Sequence, residues 1–120
     1  MAKDLKINGQ VWVDINGKPF LGKGRIELLK EIKERGSISA AGDSLGMAYR
    51  KAWRLVDSMN KVSSHPLVER TVGGKGGGGS VLTQAGEDAI VMYECLESRF
   101  TGFLEAERTI FDEMRGKWNT

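Results

Sequence analysis

The residues of this chain whose types and spacing could do chemistry are cations, gathered in two places. Arg50, Lys51, Arg54, Ser58 and Lys61 recur between residues 48 and 61, and Arg70 and Lys75 stand at the edge of and within a glycine-rich stretch further on. At about 100° per residue, the first group shares one face of a helix, with Asp57 to its side, while Tyr49, Ala52, Trp53, Val56 and Met59 share the other. The apolar set is expected to face a core, with the ring of Tyr49 packed inward. The polar set carries four cations and no anion. A face that only kept a helix in solution would mix signs. Arginine and lysine in a row, with a hydroxyl as a further donor, suit guanine edges and phosphates in a DNA major groove.

Other chemistries lack their residues. His65 is the one histidine and has no cysteine near it, and Cys95, the one cysteine, reads as a small packed residue. Metal-ligand clusters, nucleophile–base pairs and paired carboxylates do not occur at workable spacing. Gly74, Gly76 and Gly79 fit a G-x-G-x-x-G pattern, but the run leads into another β-prone segment rather than opening a helix, and no GK[ST] follows. No catalytic residue, metal or cofactor is expected, and an enzyme is not.

The elements that must position the cations can be read in order. Residues 5–20 alternate apolar and polar around Asn8-Gly9 and Asn16-Gly17, which predicts a small β-meander. Ile26, Leu28, Leu29 and Ile32 predict an amphipathic helix ending at Gly36. A short helix of small residues follows, with Ser37 or Ser39 as its N-cap, and Gly46 separates it from the basic helix. Two short helices around a glycine turn describe a helix-turn-helix over residues 37–61. Gly42, inside the first, costs about 1 kcal/mol against alanine, for which close approach of the second helix is a reason. Residues 67–83 predict a hairpin with a glycine tip, the wing of a winged helix, where Arg70 and Lys75 would meet phosphate or the minor groove.

Thr83 then caps a helix over residues 84–115. Its apolar positions Ala89, Tyr93, Leu96, Phe100, Phe103, Ile110 and Met114 recur at spacings of four and three, broken by Glu107 and with Gly102 as a site for a bend. So narrow a seam predicts pairing with a second copy of the chain.

The totals agree. The 120 residues suit one domain, 40% are hydrophobic and 28% charged, and a single cysteine cannot form an intrachain disulfide. Residues 1–83 carry 14 basic and 8 acidic residues, net +6, and residues 84–120 carry 4 and 8, net −4, so a polyanion is drawn to the first part. Neither a secretory leader nor a membrane span is expected, and the chain is placed in the cytoplasm.

Three stretches carry a family resemblance: Gly36–Ala41, Leu45–Trp53 with Leu55–Asn60, and Pro66–Arg70 with Gly73–Gly79 and Leu82–Gly86. Together they resemble the N-terminal domain of molybdate-responsive, ModE-type transcriptional regulators, and the wing portion is similar to the wider LysR-type pattern. The resemblance implies a mainly α fold with small β elements, a winged helix-turn-helix whose last helix forms the dimer, and groove-facing Tyr49, Arg50 and Lys51. Ser39 and Ser44 join the expected DNA contacts as hydroxyl donors. Ala48 departs from the family's usual serine, so Ser44 or a backbone amide must substitute there. Nothing in these residues resembles the family's oxyanion-binding domain. The chain is then a stand-alone dimer, works with a separate effector-sensing chain, or is a fragment. The reading is a homodimeric regulator that binds an inverted repeat of double-stranded DNA. The alternatives are a protein-interaction module that keeps the fold and pairs with another regulator, and a small oxyanion-binding protein that uses the glycine loop.

Overall fold

The computed structural model describes residues 3–72 and 79–119, and divides the chain into two units, residues 12–93 and residues 1–11 with 94–120. Residues 12–93 are called the body below.

The body opens with a hairpin, β1 (Val13–Ile15) antiparallel to β2 (Lys18–Leu21). Asn16 and Gly17 make its turn at φ 52° and 76°, the pair of positive angles that a type I′ turn requires. Helix α1 (Lys23–Arg35) buries Ile26, Leu28, Leu29 and Ile32, and ends where Gly36, at φ 79°, donates its N–H to the Ile32 carbonyl at 2.8 Å. Ser37 caps α2 (Ile38–Ser44), its Oγ accepting from the Ala40 N–H at 3.0 Å. A Cβ on Gly42 would lie 3.2 Å from that of Ala52, so the small residue does allow close approach of α3 (Tyr49–Val62). Strands β3 (Val68–Arg70) and β4 (Ser80–Leu82) pair antiparallel, with Arg70 opposite Ser80. The largest fully buried side chains of the core are Leu28, Leu29, Ile32, Met59 and Leu67, each at most 1% exposed and each worth about 1.5–3 kcal/mol of burial.

Thr83 then turns the chain into α4 (Gln84–Gly116): its Oγ1 accepts from the Gly86 N–H at 3.0 Å and donates to the Pro66 carbonyl at 2.6 Å. A 3-10 turn, Lys117–Asn119, follows. In the second unit, a Cβ on Gly9 would fall 2.8 Å from Cζ of Phe100, so the chain there runs close against α4. Arg115 donates to the Lys3 carbonyl. Arg108 links Glu105 and Asp112 at 2.7 and 3.0 Å, and its hydrogen bond and charge hold the Glu105 carboxyl below its ordinary range.

Two expectations need correction. Residues 3–12 form no strand, so the meander is a single hairpin at Asn16-Gly17, and Asn8-Gly9 is not a hairpin turn. In the apolar seam, Ala89 and Tyr93 are 1% and 3% exposed, buried with the body's own core rather than offered to a partner. The start of α4 thus adds its buried side chains to the body's core, and Glu87 on its first turn pairs with Lys33 of α1 at 2.8 Å. Further along, Leu96, Phe103, Ile110 and Met114 are 37–56% exposed, while Phe100 is half-buried. The helix runs through Gly102 without a break.

Candidate nucleic-acid interface

Helix α3 is built to show one face. Ala52, Val56 and Met59 are buried, which fixes the rotation of the helix and turns Arg50, Lys51 and Arg54 out to solvent. Among the described residues none of these three cations makes an ion pair. The expected face is shorter than its residue types suggest. Lys61 pairs with Asp57 at 2.9 Å, and that hydrogen bond and charge raise its pKa. The Ser58 hydroxyl, half-buried, accepts from the Arg25 guanidinium at 3.2 Å. The open positive charge thus lies in the N-terminal two turns of the helix.

Tyr49 is 58% exposed, so its ring is not packed inward; it stands edge-on to Trp53, with ring centres 6.2 Å apart. Trp53 is half-buried, and its Nε1–H has no hydrogen-bond partner among the described residues. Over its ring lies Arg70 of β3, its guanidinium carbon 4.1 Å from the ring centre, a cation–π contact worth about 0.5–1 kcal/mol at a site this open. The wing cation is thereby seated beside Tyr49 and Arg50. Between wing and helices is a cleft of about 450 Å³, lined by Ser37, Ser39, Tyr49, Trp53, Arg70 and Thr71 among others.

Asn60 does what the sequence reading missed. Its Oδ1 accepts from the N–H groups of Leu67 and Val68 at 2.8 and 3.3 Å, and its Nδ2 donates to the Val68 carbonyl at 3.0 Å. One side chain on α3 therefore pins the start of β3 to that helix. A polar residue beside the buried Met59 was the available signal. The far strand is held by Ser80, whose N–H donates to the Gly36 carbonyl at 2.8 Å. Gly79 has its own reason to lack a side chain, since a Cβ there would lie 2.6 Å from that carbonyl.

The remaining expected contacts divide. Ser39 is exposed and lines the cleft. Ser44 is exposed, but its hydroxyl donates to the Ala41 carbonyl at 2.9 Å and does not replace the missing serine at Ala48, the uncapped start of α3. Lys75 lies outside the described residues.

A short helix, a glycine turn at Gly46 (φ 65°), a cationic second helix and an antiparallel hairpin pinned to it make a winged helix-turn-helix. The chain belongs to the bacterial regulatory helix-turn-helix proteins of the LysR family, whose pattern matches residues 24–87. Several of the proteins it resembles are named ModE. It is 48% identical over 79 residues, 66% of this chain, to the DNA-binding transcriptional dual regulator ModE of Escherichia coli K12, and covers 30% of that protein. The molybdenum transport protein ModE of Azotobacter vinelandii is 36% identical over 80% of this chain, which covers 36% of it. The molybdenum-pterin-binding protein MopB of Rhodobacter capsulatus is 45% identical over 65% of this chain, which covers 29% of it. The chain thus spans about a third of the length of these relatives. Among the described residues no helix is long and apolar enough to cross a membrane, and no three His, Cys, Asp or Glu side chains gather as metal ligands.

Proposed function

We propose that this chain is a sequence-specific transcriptional regulator of the cytoplasm that binds double-stranded DNA as a homodimer. The observation that carries the reading is the exposed row Arg50, Lys51 and Arg54 on α3 of a winged helix, with Arg70 seated beside it on Trp53. Base reading falls to Arg50 and Lys51 at the start of α3, where a recognition helix meets base edges, while Arg54 and Arg70 grip phosphates. Tyr49 and Ser39 add hydroxyl donors at the rim of the cleft. No residue of this chain is assigned to the molybdenum named for its relatives.

The dimer reading rests on Leu96, Phe103, Ile110 and Met114, exposed apolar side chains at spacings that return to one face of α4. The cluster of Glu105, Arg108 and Asp112 lies across the helix from that face. Phe103→Glu combined with Ile110→Glu places charge in the proposed seam. Sedimentation should show the parent chain as a dimer and the double variant as a monomer. The variant should also lose at least tenfold in affinity for a two-half-site duplex, because the second half-site no longer binds intramolecularly. Identical sedimentation of the two proteins would refute the seam.

A further inference from the structure

We infer that the β1–β2 hairpin is a second contact to the DNA backbone, with Lys18 as its phosphate-binding cation; the inference rests on the DNA-binding reading above. Three observations carry it. Lys18, at the tip of the hairpin, is exposed and makes no ion pair among the described residues. It shares with α3 a cleft of about 420 Å³ whose lining includes Asn16, Arg54, Asp57 and Lys61. Because Lys61 and Asp57 neutralise one another, the open charge of that cleft is Lys18 and Arg54, both positive. Arg54 also lines the neighbouring cleft with Tyr49, Arg50 and Arg70. One arginine of the recognition helix thus borders the wing on one side and the hairpin on the other.

The hairpin is also held firmly enough to act as a clamp. The Arg25 guanidinium donates to the carbonyls of Pro19 and Phe20 at 3.2 and 3.4 Å and to Ser58 Oγ at 3.2 Å, bolting β2 to the C-terminal half of α3. Burial pulls the Arg25 pKa down from its ordinary value, so the bolt is partly desolvated. Phe20 and Leu21 are buried behind it. A duplex seated on Arg50 and Arg54 would then meet a cation on each flank, Arg70 of the wing and Lys18 of the hairpin. Phosphate contacts of this kind set register and carry no sequence information.

The test is Lys18→Ala in the full chain, titrated by fluorescence anisotropy against an enriched duplex and a mixed-sequence duplex at several salt concentrations. The expected result is weaker binding to both duplexes by the same few-fold factor, with the slope of log K against log salt shallower by about 1 per chain. Lys23→Ala, which removes a charge outside the cleft, should leave the slope unchanged. If Lys18→Ala binds as the parent does while Arg50→Ala is weakened, the hairpin contact is wrong and the DNA reading stands. If Lys23→Ala matches Lys18→Ala, the effect is net charge alone and the contact is likewise wrong. If the parent binds neither duplex, the DNA reading fails and takes the hairpin contact with it.

Discussion

Gly86→Ala should lower the stability of this protein by about 3 kcal/mol, or roughly 10 °C or more in Tm, and Gly102→Ala, in the same helix, should not. A Cβ on Gly86 would lie 2.3 Å from the Leu67 carbonyl oxygen and 3.2 Å from its carbon. Both are backbone atoms, so no side chain can swing aside. The start of α4 would have to lift from the Pro66-Leu67 segment before β3, straining the bonds from Thr83 to the Leu67 and Pro66 carbonyls at 3.0 and 2.6 Å. Leu67, 1% exposed, would be loosened with them, and so would the buried Ala89 and Tyr93 further along α4. Gly102 has no neighbour within 4 Å of its would-be Cβ and sits exposed in mid-helix, where alanine gains about 0.5–1 kcal/mol. Thermal denaturation of the two variants beside the parent checks the contrast. Equal Tm values for Gly86→Ala and the parent would contradict this packing.

The second large effect is on binding. Arg50→Ala should cost about 1–3 kcal/mol of affinity, roughly 5- to 150-fold, and relax base preference at one position of each half-site. Lys51→Ala, at the second residue assigned to base reading, should act similarly, with the loss confined to sequences that carry its preferred base. Neither should move Tm, because both side chains are exposed and neither makes an ion pair among the described residues. Loss of affinity without loss of stability separates a contact residue from a structural one. Competition titrations with single-base variants of a bound site, run beside thermal melts, measure both.

Much of this fold was legible because its signals are local. The caps at Ser37 and Thr83, the glycine stops at Gly36 and Gly46 and the 3.6-residue period of residues 49–62 each act within one or two turns, and the helices begin and end close to where those residues place them. What escaped depended on which partner covers a patterned segment. Leu5, Ile7 and Val11 are half-buried and Lys6, Asn8 and Gln10 exposed, so the period-2 alternation is present. It marks an extended chain with one covered face, and here Gly9 meets Phe100 of a helix instead of a neighbouring strand. The same ambiguity misassigned Ala89 and Tyr93, because a heptad seam does not say whether the body or a second chain covers it. At the site, residue type gave Arg50, Lys51 and Arg54. It could not show that Asp57 neutralises Lys61, that Arg25 engages Ser58 or that Asn60 pins the wing, since these pairings depend on side-chain geometry and on elements distant in sequence.

The central claim is that α3 reads DNA in a two-fold arrangement. The most direct test is selection of bound duplexes from a randomised pool by the parent chain, followed by sequencing and by anisotropy titration of the winners across salt. The account predicts enrichment of an inverted repeat with half-site centres about one helical turn, 10–10.5 base pairs, or a multiple of it apart. Binding should also fall steeply as salt rises. A pool returned without enrichment, bound weakly even at low salt, would contradict it and leave the cations of α3 without a function.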